Sequence, residues 1–137
     1  MLELSGLNYF AIFVAVLINV MVGSFWYSPV GFGKRWSKLS GVDMMKLPKS
    51  EANRAIGFVM LAAIVQVVAL AIIINSLGIT KASDGLATGT VLWAGFTAAT
   101  TVGNNLYSRL TWNFWWLNAS FFLVVMSVNA VLLSVWR

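Results

Sequence analysis

The chemistry open to this chain is narrow. It has four carboxylates, Glu3, Asp43, Glu51 and Asp84, and neither histidine nor cysteine. General acid–base catalysis needs titratable groups held together. Here each carboxylate stands alone, at the edge of an apolar run or in a polar loop. Histidine-based triads and thiolate nucleophiles are excluded by composition. A Ser-Lys nucleophile would have to come from Ser37 and Lys38, neighbours in a basic loop where such a pair is ordinary. Metal sites need clustered ligands that this sequence lacks. No metal, no cofactor and no enzymatic reaction are therefore expected.

What the chain offers is neutral polarity inside apolar runs: Asn19, Gln66, Thr97, Thr100, Thr101, Asn104, Asn118 and Asn129. Two readings stand side by side. These side chains can be glue between helices, worth about 0.6 kcal/mol per hydrogen bond. Alternatively they line a polar cavity or path for a small solute. The runs themselves carry no charged residue. An intramembrane Asp costs about 2.5–3.5 kcal/mol and usually marks a proton relay, so coupling to protons through a buried side chain is not expected.

The elements that must position these groups are set by hydropathy. Of 137 residues 60% are hydrophobic and 9% charged, against about 25% charged in soluble domains. Such a chain cannot cover a water-facing surface, and lipid is its natural solvent. The pattern predicts one all-α domain, residues 1–137, with four transmembrane helices near 7–27, 55–77, 84–106 and 114–135. About twenty helical residues cover the hydrocarbon core. No Lys or Arg precedes the first run, so it reads as a retained span rather than a signal peptide.

The first span leaves the membrane at a junction that anchors the rest. Trp26 and Tyr27 suit the headgroup layer, apolar at one end and hydrogen-bonding at the other. Ser28 as N-cap and Pro29 at the first helical position form a start signal. Phe32, Trp36 and Leu39 follow at helical spacing, with Lys34, Arg35 and Lys38 between them, which predicts an interfacial amphipathic helix ended by Gly41. Pro48 leads into the second span, and Ser83 is the expected N-cap of the third, with Asp84 at its positive end. Asn8 and Asn19 are eleven residues apart, as are Asn118 and Asn129, so each pair is expected on one helix face. Gly95, Ala99 and Gly103 form a stripe of small residues suited to close helix packing.

Four spans put both termini on one side. Net charge is +5, and six of nine basic residues lie between Lys34 and Arg54. Arg109 joins them on that side, against Lys81 and Arg137 on the other. Positive residues mark the cytoplasmic side. This predicts a cytoplasmic loop 28–53 and both termini outside. The clustering is a topological signal, and no nucleic-acid partner is expected. A shift of 80 residues aligns Val22, Gly23, Tyr27, Ser28 and Trp36 with Val102, Gly103, Tyr107, Ser108 and Trp116. A parallel repeat of helix pairs is geometrically allowed, though five matches do not establish one.

The motifs resemble the membrane family called "domain of unknown function 1761". The resemblance rests on Asn8-Tyr9 with Ala11-Ile12, then Trp26-Tyr27-Ser28-Pro29 with Phe32-Gly33-Lys34 and Trp36. It continues with Gly85-Leu86, with Trp93-Ala94-Gly95-Phe96 and Thr100, and with Trp112 and Leu117-Asn118-Ala119. It implies a small polytopic protein of the bacterial inner membrane and no assigned reaction. The family pattern leads one to expect a Pro shortly before Thr100, where this chain has Ala98 and Ala99. Two functions follow as expectations. One is a homo-oligomeric module that binds or passes a small solute. The other is an interaction protein whose basic loop docks a partner or anionic membrane lipid.

Overall fold

A computed structural model describes all 137 residues. Its regular structure is entirely helical: α1 (Tyr9–Trp26), α2 (Gly33–Ser40), a 3₁₀ turn (Met44–Lys46), α3 (Lys49–Ser76), α4 (Ala82–Leu92), a π-helical turn (Trp93–Ala98), α5 (Ala99–Tyr107) and α6 (Trp112–Val135). Three of these, α1, α3 and α6, are long and apolar enough to cross a membrane. Their outward faces fit that solvent. Phe10, Phe13, Leu17 and Met21 of α1 and Phe58, Leu61, Ile64 and Val65 of α3 are exposed. Apolar surface this continuous is costly in water and natural in lipid.

The expected third span is corrected by the structure, so three helices qualify as spans, not four. Residues 82–107 form three pieces of 11, 6 and 9 residues rather than one long apolar helix. Gly85, Gly89, Gly95 and Gly103 together with five threonines dilute its hydropathy. The π turn, bonded i→i+5, also interrupts the regular ladder. The backbone still stays right-handed through both joints, with φ −63° and ψ −42° at Leu92 and at Ala99.

The core is built around α6, which touches every other helix. On one side Ala11, Ala15, Val67, Leu70 and Ile74 of α1 and α3 enclose Ala130 and Leu133. On another flank α4 comes in very close. A Cβ on Gly85 would sit 2.8 Å from the Ala130 carbonyl oxygen, and one on Gly89 2.8 Å from that of Met126. Within one chain this close approach uses Gly85 and Gly89, not the small-residue stripe read from the sequence. A Cβ on Gly95 or Gly103 would meet nothing within 4 Å, and Ala99 is exposed. Ten residues separate Gly85 from Gly95, which is not a whole number of turns, so the two glycine stripes lie on different faces.

The ends of the helices follow local chemistry, with some departures from expectation. Asn8 is the N-cap of α1, its side chain accepting the Ala11 N–H, and so lies outside the helix that carries Asn19. Ser28 and Pro29 shape a turn rather than start a helix. The Ser28 hydroxyl donates to the Phe25 carbonyl at 2.7 Å and accepts from the Gly31 N–H at 3.2 Å. α2 therefore begins at Gly33 and closes at Gly41, whose φ is 76°. In this turn a Cβ on Gly31 or Gly33 would collide with the carbonyls of Phe25 or Tyr27. α4 opens at Ala82 after Lys81, which leaves Ser83 inside the first turn instead of capping it.

The Asn75 amide donates to the carbonyls of Glu3 and Ser5. Arg137 donates to the Ile79 carbonyl and to Asn75 Oδ1. Residues 3–5, the α3–α4 link and Arg137 therefore meet at one end of the molecule. Residues 82–107 carry the chain from that end to the other, where α6 begins beside Trp26 and Tyr27.

Candidate functional site

Three side chains from two distant segments grip consecutive residues of α6. The Trp26 indole N–H donates to the Leu117 carbonyl at 3.1 Å. The Tyr27 hydroxyl donates to Asn118 Oδ1 at 2.8 Å. The Trp93 indole N–H, from the π turn, donates to the Ala119 carbonyl at 2.8 Å. Below them the Trp115 indole N–H donates to Thr101 Oγ1 at 3.0 Å. The segments quoted above for the resemblance, Trp26-Tyr27, Trp93 and Leu117-Asn118-Ala119, thus converge at one node. Aromatic contacts extend it to α2: Trp26 meets Phe32 at 4.8 Å between ring centres, and Trp36 meets Phe114 at 6.1 Å. The cationic helix α2 is held against the start of α6.

Beside the node lies a cavity of about 240 Å³, lined by Trp26, Phe32, Arg35, Asn113, Trp116, Leu117 and Ser120. Its only charged lining residue is Arg35. The Arg35 guanidinium, the Asn113 amide and the Trp116 indole N–H make no hydrogen bond within the protein, whereas the Ser120 hydroxyl donates to the Trp116 carbonyl. Lys34, Arg35 and Lys38 of α2 are exposed, as is Pro29 in the turn before it. A second cavity, about 20 Å³, lies at the opposite end among Asn8, Ile12, Asn75, Leu133, Trp136 and Arg137. It has room for about one water molecule. Near that end the Ser5 hydroxyl and N–H hold the Glu3 carboxyl below its ordinary range.

The eight neutral residues proposed from sequence as a polar cavity do not gather in either cavity. Asn19 is buried and donates to Gln66 Oε1 at 3.2 Å, joining α1 to α3. Asn118 takes the Tyr27 hydroxyl, and Thr97 donates to the Met126 sulfur at 3.5 Å. Thr100 and Thr101 donate to carbonyls one turn back, the usual way for a helical threonine to satisfy itself. Asn104 is exposed on α5, and its side chain makes no hydrogen bond. Asn129 is 1% exposed, and neither its amide nitrogen nor its oxygen has a partner. No three acidic side chains gather into a group that could hold a metal ion.

Sequence reasoning gave no bonding role to Trp93, Trp115, Asn75 or Asn105. The tryptophans hide in apolar runs, and only their indole N–H groups, which must find partners when buried, hint at a bonding role. Asn105 is buried and donates to the carbonyls of Leu110 and Thr111, closing the turn into α6. Its place near a helix end was the available signal.

The profile of a family described as "Protein of unknown function (DUF1761)" matches residues 10–134. No curated protein and no solved structure matches the chain. The matched stretch runs from the first turn of α1 to the last of α6 and includes every segment that converges at the node. On this match, and on the motifs that indicated it, the chain belongs to the DUF1761 family.

Proposed function

We propose that this protein is a multipass protein of the bacterial inner membrane that works as a docking module at the cytoplasmic interface rather than as an enzyme. In this reading it crosses the membrane four times, α4, the π turn and α5 together forming the third crossing. At 1.5 Å per residue this composite is about 39 Å long, and it has no charged residue between Asp84 and Arg109. Both termini then face outward, and the basic segment 28–53 faces the cytoplasm, in keeping with seven Lys or Arg on that side against two.

The observation that carries the docking reading is the packing of α2 against the start of α6. Lys34, Arg35 and Lys38 project from a short helix whose Trp36 meets Phe114 of α6 and whose N-cap Phe32 meets Trp26. A basic residue beside an anionic leaflet contributes about 1 kcal/mol, and fixing three of them on one helix lowers the ordering cost of using them. The partner in this reading is anionic membrane lipid. Six of the eight neutral polar residues find a partner within the protein, which favours packing over a solute path. The exposed Asn104, beside the open stripe Gly95, Ala99 and Gly103, supports a homo-oligomer, because lipid would leave its amide unpaired.

The test is charge reversal at Lys34, Arg35 and Lys38 together. The triple variant should fold normally and lose its enrichment of anionic over zwitterionic lipid on purification. Unchanged enrichment would refute the docking reading.

A further inference from the structure

We infer that the groove between α2 and the first turns of α6 is a specific site for the phosphate headgroup of an anionic membrane lipid. This rests on the docking reading above and goes beyond it, since general attraction to an anionic leaflet needs no groove. Three side chains that carry N–H donors line one space. Arg35 is the one charged lining residue, and its guanidinium forms no ion pair or hydrogen bond within the protein. No carboxylate lines the space. A guanidinium offers a planar fork of donors that matches two phosphate oxygens, and Asn113 and Trp116 bring further free N–H groups.

The remaining walls say which phosphate. Trp26, Phe32, Trp116 and Leu117 are apolar surface that a free inorganic anion would leave unused. From Asn113 to Ser120 the lining descends about 10 Å along α6, at 1.5 Å per residue. The headgroup layer is roughly 5–7 Å deep on each side of the hydrocarbon core, so the groove starts among headgroups and ends among acyl chains. Its volume of about 240 Å³ is smaller than the roughly 300–1,000 Å³ of pockets that enclose whole drug-sized ligands. It fits a headgroup and the first carbons of a chain, the rest lying in the bilayer.

The test uses the full-length protein released from nanodiscs and native mass spectrometry, with phosphatidylglycerol as probe, phosphatidylcholine as its zwitterionic counterpart and inorganic phosphate as the soluble competitor. Wild type should retain phosphatidylglycerol in preference to phosphatidylcholine, and millimolar phosphate should not displace it. Arg35→Gln should lower retention about tenfold. Lys49→Gln, which removes the same charge outside the groove, should change it less than twofold. Ser120→Phe fills the groove without altering charge and should match Arg35→Gln. Asn113→Leu, at an exposed site with no bond to lose, should lower retention severalfold even if Ser120→Phe misfolds. Equal losses in Arg35→Gln and Lys49→Gln would overturn the site. So would full retention in both Asn113→Leu and a folded Ser120→Phe. If the triple charge reversal still removes the lipid in that case, docking stands and only the groove falls. Displacement by inorganic phosphate would replace the lipid with a soluble anion and overturn the inference as stated.

Discussion

At the scale of single residues, glycine position separates two roles that the sequence presents identically. Gly85 and Gly89 lie where a Cβ would press on backbone oxygens of α6, whereas Gly95 and Gly103 face open space. Alanine at position 85 or 89 should force α4 off α6 and cost about 1–3 kcal/mol, as overpacking does. Alanine at 95 or 103 should be neutral or stabilising by up to about 1 kcal/mol through helix propensity. Thermal unfolding of the four variants in one detergent would check this, and equal losses at all four would contradict it. Asn129 is a second case. Its amide is fully buried without a partner, which costs about 1–3 kcal/mol. Asn129→Leu should therefore raise the melting temperature, whereas Asn19→Leu should lower it by stranding Gln66. A fall in both would mean that Asn129 has a bonding role. Both asparagines were visible in the sequence. Their opposite circumstances were not, because side-chain pairing depends on the register between helices.

At the scale of elements, the legible features were those written in local chemistry. Three apolar helices, the amphipathic α2 and its stop at Gly41 follow from periodicity and from a residue that tolerates positive φ. The start of α2 was misread because Ser28 and Pro29 are equally good turn formers, and here Ser28 bonds back to Phe25. The π turn had no sequence signal at all, since Trp93–Ala98 contains nothing that forbids an ordinary helix. Bonding i→i+5 holds about one more residue in the turn than i→i+4. Deleting the exposed Gly95 should therefore convert the segment to regular helix and preserve the Trp93 and Trp115 bonds on either side. A deletion of Val91, inside regular α4, should instead rotate all that follows and unfold the protein. Comparing the helicity and melting of the two deletions checks this; equal tolerance would show that the extra residue is not stored at the π turn.

At the scale of the whole molecule, the path of the chain matters more than any single contact. Residues 3–5, the α3–α4 link and Arg137 share one end, and the Trp26–Tyr27 node sits at the other. α3 finishes at the first end and α6 begins at the second, so residues 82–107 must travel the full length even though they are too polar and too interrupted to count as an apolar span. The hydropathy pattern gives four apolar stretches, three of which are helices long and apolar enough to span a membrane; the fourth crossing proposed above rests on this path of the chain. The proposed lipid groove has its meaning only if α2 faces the cytoplasmic leaflet. The most direct measurement exploits the absence of cysteine in the chain. Single cysteines would be placed at Lys46 and at Thr80 and probed in intact cells with a membrane-impermeant maleimide. The account predicts that Thr80→Cys is labelled from outside and Lys46→Cys only after the membrane is opened. Labelling of Lys46→Cys in intact cells would contradict it.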